Sequence, residues 1–307
     1  MFLLARQAGV VLFVLIACAQ LSAATPTQLR IAFGEDPRTS VRIVWQTQGP
    51  MKAPAVEYGM GEKLNKRITG HRVTYPYETG VIYEATLKNL KPGTVYRYRV
   101  GSSEDGFSRV ASFRTAPDKP EDFIFTAFGD HGVTEAARKN VENILAIKPS
   151  FHLLLGDVSY ANGNQPVWDR YFEQIEPLAC AVPIMPTLGN HENEKIKTPE
   201  GDKRIGYVAY LARFALPGAE THYTFDYGAA RFVAFNSDDY RNPEQLAWLE
   251  RTLATARKDP KVRWLIVFQH HPLYGSTHRR GNNAGLIATV EPLYDRYKVD
   301  LVLAGHD

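Results

Sequence analysis

Five apolar runs in the second half of this chain each end in a short polar motif. Residues 123–128 lead into Gly129-Asp130-His131-Gly132, 151–155 into Gly156-Asp157-Val158-Ser159-Tyr160, and 184–188 into Gly189-Asn190-His191-Glu192. Residues 264–268 lead into Gln269-His270-His271-Pro272, and 301–304 into Gly305-His306-Asp307. Short apolar runs bounded by glycine read as buried strands. Between them, residues 133–147, 165–178 and 243–258 read as helices, the last with Leu246, Leu249, Leu253 and Ala256 on one face. Residues 232–235 read as one more strand. This alternation predicts an α/β layered domain with mixed, mainly parallel sheets. In such sheets ligands gather beyond the carboxyl ends of the strands, so the five motifs are expected at one place. Taken singly they are weak: a lone Gly-Asp is usually a turn, and a lone histidine on an apolar strand is usually a core residue. Five in order at strand ends outweigh those readings.

The first half reads differently. Residues 28–34, 40–47, 55–59, 67–75, 81–90, 94–101 and 109–116 alternate apolar and polar side chains, with Gly, Pro, Asn and Asp in the gaps. Seven short strands so spaced predict an all-β sandwich of the fibronectin III kind. Residues 117–121, with Pro117 and Pro120, form the natural linker. The expected organisation is a sandwich over 25–116 and a catalytic domain over 122–307.

Residues 1–24 are expected to lie outside both. Arg6 gives a positive start, Val10 to Ala17 is uninterruptedly apolar, and Ser22-Ala23-Ala24 offers small residues for cleavage. That is the pattern of a signal peptide and is too short for a comfortable membrane span. Leu15-Ile16-Ala17-Cys18 also fits a lipobox, which would anchor the chain through a lipid on Cys18. Both readings place the protein outside the cytoplasm: secreted, periplasmic or lipid-anchored at the surface. Two cysteines exclude a disulfide scaffold, and Cys180 reads as a small buried residue. With 36 basic and 33 acidic residues and no Lys/Arg block, the charge argues against a nucleic-acid partner. No feature of the sequence indicates an oligomeric state.

Carboxylates, an amide oxygen, imidazoles and a phenol form a mixed oxygen and nitrogen donor set. It suits iron, zinc or manganese and not a thiolate-seeking metal. A carboxylate such as Asp157 can bridge two cations, and paired cations serve phosphoryl transfer.

The motif series resembles the metallophosphoesterases, and among them the purple acid phosphatases, whose pattern is GDxG, GDxxY, GNH(D/E), VxxH and GHxH. This chain reads GDHG, GDVSY, GNHE, VFQH and GHD. Other phosphodiesterases of the superfamily carry a histidine where Gly132 stands and lack a counterpart of Tyr160. The sandwich resembles the N-terminal domain of the larger, plant-like members. The resemblance implies that Asp130, Asp157 and Tyr160 bind Fe(III), with the phenolate giving the family colour. It implies that Asp157, Asn190, His270 and His306 bind a divalent partner, Zn, Mn or Fe. The implied reaction is hydrolysis of small phosphomonoesters by attack of a metal-bound hydroxide. His191 would bind phosphate or donate a proton, and His278 is a second candidate on the leaving-group side. Counting from Val267, the VxxH histidine is His270, which leaves His271 beside the ligands and not among them.

The family's last motif asks for a histidine at position 308, beyond Asp307. The chain therefore reads as a C-terminally incomplete catalytic domain. Two alternatives accompany the phosphomonoesterase: a phosphodiesterase or nucleotide pyrophosphatase using the same site, and an inactive surface-binding protein.

Overall fold

A computed structural model describes residues 25–277 and 281–307. The predicted signal segment, the lipobox cysteine Cys18 and His278 lie outside the described residues.

The first nine strands are β1 (Thr27–Phe33), β2 (Val41–Thr47), β3 (Ala55–Gly59), β4 (Lys66–Thr69), β5 (His71–Val73), β6 (Val81–Leu87), β7 (Val95–Ser102), β8 (Gly106–Phe107) and β9 (Ala111–Arg114). They form two antiparallel sheets, β1-β2-β6-β5 and β4-β3-β7-β8 with β9 on β7. Ile43 and Trp45 from one sheet and Tyr96, Tyr98 and Val100 from the other fill one core. The single strand predicted over 67–75 is two strands in two sheets. The break falls at Gly70, where a Cβ would stand 2.4 Å from the Trp45 ring. Only glycine lets the chain cross that close to the indole and change sheets.

The second part runs β10 (Phe125–Phe128), α1 (Glu135–Ile147), β11 (Phe151–Leu155), α2 (Gln165–Ala179), β12 (Ile184–Thr187), β13 (Glu194–Thr198), β14 (Gly201–Gly206), α3 (Val208–Arg213), β15 (Tyr223–Tyr227), β16 (Ala230–Ala234), α4 (Pro243–Lys258), β17 (Trp264–Phe268), α5 (Ala284–Thr289), α6 (Glu291–Arg296) and β18 (Leu301–Leu303). Strands β10-β11-β12 form a parallel sheet, and β15-β16-β17-β18 a mixed one whose only antiparallel pair is β15-β16. Side-chain alternation explains the layering. Phe232, Ala234, Ile266 and Phe268 face the first sheet, where Phe232 meets Phe125 and Phe151 with ring centroids 5.2 and 5.1 Å apart. Val233, Leu265 and Val267 point the other way, under Leu249 and Leu253 of α4. Each such fully buried aliphatic side chain contributes about 1.5–3 kcal/mol.

Local chemistry sets the element ends. Thr134 caps α1 by accepting from Ala137 N at 3.2 Å, so the helix starts two residues later than the apolar pattern indicated. Asn242 caps α4, with Pro243 at its first position. The stretch between Asn193 and Tyr207 is the hairpin β13-β14. Its mostly exposed, charged residues lack the apolar alternation that marks a strand in sequence.

The sandwich and the α/β part share a seam. Phe33 of β1 packs on Phe151 with centroids 5.8 Å apart. Cys180 is buried against the sandwich core, and its carbonyl accepts Tyr98 OH at 2.8 Å. No helix among the described residues is long and apolar enough to cross a membrane.

Candidate metal centre

The motifs meet at the carboxyl ends of β10, β11, β12, β17 and β18. Sharp turns bring the side chains together. Asp130, Asp157, Tyr160 and His306 all have left-handed backbones, with φ of 57°, 49°, 57° and 72°. Such conformations are strained for non-glycine residues and collect at functional sites. Glycines permit the close approach. A Cβ on Gly189 would lie 2.3 Å from Asp157 Oδ1, one on Gly156 2.7 Å from His270, and one on Gly305 2.8 Å from Asp130 Oδ2.

Asp130 accepts from Tyr160 OH at 2.8 Å and from His306 N at 2.7 Å. Asp157, only 2 % exposed, accepts from His191 N at 2.9 Å through Oδ1, and its Oδ2 lies 3.1 Å from His270 Nε2. His270 Nδ1 lies 2.7 Å from the Leu155 carbonyl. A carbonyl can only accept, so Nδ1 carries a proton and Nε2 is the nitrogen that faces Asp157. His306 Nδ1 lies 2.9 Å from that same Nε2. Burial works against charge on His270, yet Asp157 beside it holds its pKa above the usual histidine value. Burial pushes Asp157 up, and His270 and His191 more than reverse that. Burial and the Asp130 carboxylate both raise Tyr160.

This donor set fits cations. Asn190 Oδ1 is buried without a hydrogen-bond donor among the described residues. Ligand atoms of Asp130, Asp157 and His270 lie within 4.8 Å of one another, as do those of His270, His271 and His306. A carboxylate oxygen and imidazole nitrogens facing one another so closely need a proton or a metal ion between them. Oxygen-rich donors at Asp130 and Tyr160 and nitrogen-rich donors at His270 and His306 suit a harder and a softer cation respectively.

His271 stands closer than counting from Val267 indicated. Its ring centroid is 4.4 Å from that of His306, and its Nδ1 is 3.0 Å from Ser237 Oγ. Burial, with the neighbouring imidazoles of His270 and His306, pushes its pKa down to about 4, so it stays neutral at ordinary pH. His191 lies at the rim, its ring 4.4 Å from that of Tyr160, with Nδ1 2.5 Å from Asn162 Oδ1 and Nε2 3.7 Å from Asp157 Oδ2.

Two residues organise the site in roles the sequence reading did not assign. Glu192, 1 % exposed, accepts from Asp157 N, Val158 N and Gly189 N, each at 2.8 Å. It holds the Asp157 and Asn190 loops against each other. In sequence it was visible as the last residue of the Gly189-Asn190-His191-Glu192 motif, without a role. Burial and the Asp157 charge raise its pKa to about 7. Asn162 has no comparable signal.

Fold and site together define a metallophosphoesterase. A family profile for calcineurin-like phosphoesterases matches residues 124–307, and one for the purple acid phosphatase N-terminal domain matches 26–115. The chain belongs to the purple acid phosphatase family. It is 33 % identical to purple acid phosphatase 21 of Arabidopsis thaliana, over 92 % of this chain and 65 % of that protein. It is 29 % identical to an uncharacterized protein of Mycobacterium tuberculosis, over 91 % of this chain and 60 % of the relative. It superposes on the purple acid phosphatase PPD1 from yellow lupin (Lupinus luteus) seeds with a TM-score of 0.81 at 23 % identity, covering 93 % of this chain and 59 % of that one. The chain thus spans somewhat under two thirds of the length of these relatives.

Proposed function

We propose that the protein is an exported acid phosphatase that hydrolyses small phosphomonoesters at a dinuclear Fe(III)–M(II) centre, M being Zn, Mn or Fe. Residues 122–307 would be the catalytic domain and 25–116 the sandwich it leans on. The observation that carries the reading is the meeting, within hydrogen-bond distances, of Asp130, Tyr160, Asp157, His270 and His306, with the orphaned Asn190 oxygen beside them. Asp130, Tyr160 and Asp157 would hold the iron; Asp157, Asn190, His270 and His306 the divalent ion. When bound, such cations acidify a water and neutralise charge on the phosphoryl group.

The chain's own residues do the rest. Asp157 stands between the two donor groups and can serve both. The Leu155 carbonyl fixes the His270 tautomer, which keeps Nε2 available as a ligand. Asn162 holds His191 Nδ1 and so turns the other ring nitrogen toward Asp157, at the open side of the site. An imidazole held there can bind a phosphoryl oxygen or pass a proton to the departing alkoxide.

Metal analysis of purified protein, with assay of a phosphomonoester beside a phosphodiester at acidic and neutral pH, tests the proposal. Two tightly held metals per chain and a preference for the monoester at acidic pH are expected. Preference for the bis-ester would make it a phosphodiesterase of the same site, and absence of tightly held metal would sink the catalytic reading.

A further inference from the structure

Ser237 Oγ sits among three nitrogens, 3.2 Å from His270 N, 2.8 Å from His271 N and 3.0 Å from His271 Nδ1. The two backbone N–H groups can only donate, and a hydroxyl oxygen has two lone pairs to receive them. Its single proton is left for His271 Nδ1, which must therefore accept. The ring's own proton then stands on Nε2, and the imidazole is uncharged. The holder is rigid. Ser237, 2 % exposed, lies in the turn after β16, and Gln245 of α4 fixes that turn by accepting Asn236 N at 2.9 Å and donating to the Asn236 carbonyl at 3.1 Å. From the other side, Gln269 Nε2 donates to the His271 carbonyl at 2.6 Å, and Gln269 Oε1 accepts from the buried Tyr294 OH at 2.7 Å. The ring so held has its centroid 4.8 Å from that of His270 and 4.4 Å from that of His306. Its Nε2 has no hydrogen-bond partner among the described residues and is open to solvent. Asp238, next to Ser237 in the chain, is taken up by Asn193 Nδ2 at 2.9 Å and Tyr207 OH at 2.7 Å.

We infer that His271 is a further catalytic residue, whose Nε2–H donates a hydrogen bond to a phosphoryl oxygen of the bound ester beside His270 and His306, and that Ser237 is the positioning residue that keeps the proton on that nitrogen. The inference rests on the phosphoesterase reading above. One nitrogen of His271 lies within 4.8 Å of the ligand atoms of His270 and His306, so closeness alone would make it a third imidazole ligand. The tautomer rules that out: the Nδ1 lone pair is spent on Ser237, and Nε2 carries the proton. A cation needs a lone pair, whereas an anionic oxygen needs the N–H that His271 offers. A neutral imidazole with a fixed tautomer can donate to developing negative charge without giving up its proton. Donors held in place before the reaction, as Ser237 and Gln269 hold this one, lose nothing to reorganisation when that charge appears.

The test uses the whole chain. In metal-depleted protein, the nitrogen-15 resonances of the His271 ring, assigned by their loss in His271→Gln, should show a bare Nδ1 and a protonated Nε2. His271→Leu removes the donor, and His271→Gln returns an N–H close to the Nε2 position. At a metal content equal to wild type, His271→Leu should lower kcat for p-nitrophenyl phosphate by about 10²-fold, and His271→Gln should recover most of it. Inorganic phosphate should bind His271→Leu about tenfold more weakly in titration calorimetry. A proton on Nδ1, or loss of metal in His271→Leu, overturns the inference. So do equal kcat and phosphate affinity in wild type and His271→Leu, and so does a His271→Gln no better than His271→Leu, which would make His271 a packing residue. If the wild type hydrolyses no phosphomonoester, the functional reading has failed by itself, and the phosphate titrations still decide whether His271 touches the anion. Should His271→Leu fail to fold, Ser237→Ala takes its place: it should let the proton move to Nδ1 and lower kcat, and a moved proton with wild-type kcat overturns the inference.

Discussion

The Glu192 carboxylate accepts the backbone N–H of Asp157 at 2.8 Å across a separation of 35 residues. With the same oxygen it takes Gly189 N and with the other Val158 N, so one buried side chain ties two ligand-bearing loops. Glu192→Gln would turn an amide NH₂ against at least one of those N–H donors. An unsatisfied buried donor costs about 1–3 kcal/mol. We expect a lower melting temperature and metal affinity weakened by about 10–100-fold. Isothermal titration of the metal-depleted protein reads this directly, and unchanged affinity would separate Glu192 from the metal site.

Gly189→Ala tests the close approach itself. Its φ of −112° suits alanine, so the effect is purely steric: the new Cβ meets Asp157 Oδ1 at 2.3 Å and Asp157 N at 2.4 Å. Displacing Asp157 by about an ångström should lower kcat by about 10²-fold and stability by about 1–3 kcal/mol. Kinetics at saturating substrate, paired with urea melts, check both. Wild-type kcat would show that Asp157 position is not limiting.

Tyr160→Phe removes the phenol oxygen 2.8 Å from Asp130 Oδ1. If that oxygen binds Fe(III), the visible charge-transfer band should disappear while the far-ultraviolet circular dichroism stays unchanged. A retained band would remove Tyr160 from the iron.

His152 governs an acid limb of stability. It is fully buried in β11, with Nδ1 2.8 Å from Thr126 Oγ1 and Nε2 unpartnered among the described residues. Burial, then the neighbouring His131, pushes its pKa down to about 3, against 6.5 in the unfolded chain. Between those values the unfolded state binds a proton that the folded state refuses. The stability is therefore present above pH 6.5 and is lost as pH falls toward 3, at about 1.4 kcal/mol per pH unit from this group. His152→Gln should flatten the stability–pH curve below 6.5. Equal slopes for variant and wild type in denaturant melts would show that His152 is protonated inside the fold.

The sequence by itself determined the elements that carry the five motifs and the identity of the ligand-type residues, but not β13, β14, β15, α3, α5 or α6. Both are local properties: Gly129-Asp130 or Gly156-Asp157 follows an apolar run whatever else the chain does, and α4 shows its buried face in its own period. The sandwich strands were largely legible, but the two-residue β8 was not, and the split into β4 and β5 at Gly70 depends on the Trp45 indole from another strand. Tertiary structure alone decided which donors touch. His271 enters the imidazole group because β17 and β18 lie side by side and bring His306 to it. Glu192 matters because its three hydrogen-bond donors come from two loops, and Arg30 finds Arg213 only because the sandwich docks on α3. Periodicity records how a residue meets its own element. Contacts between residues distant in sequence, and the desolvation that follows from them, leave no period to read.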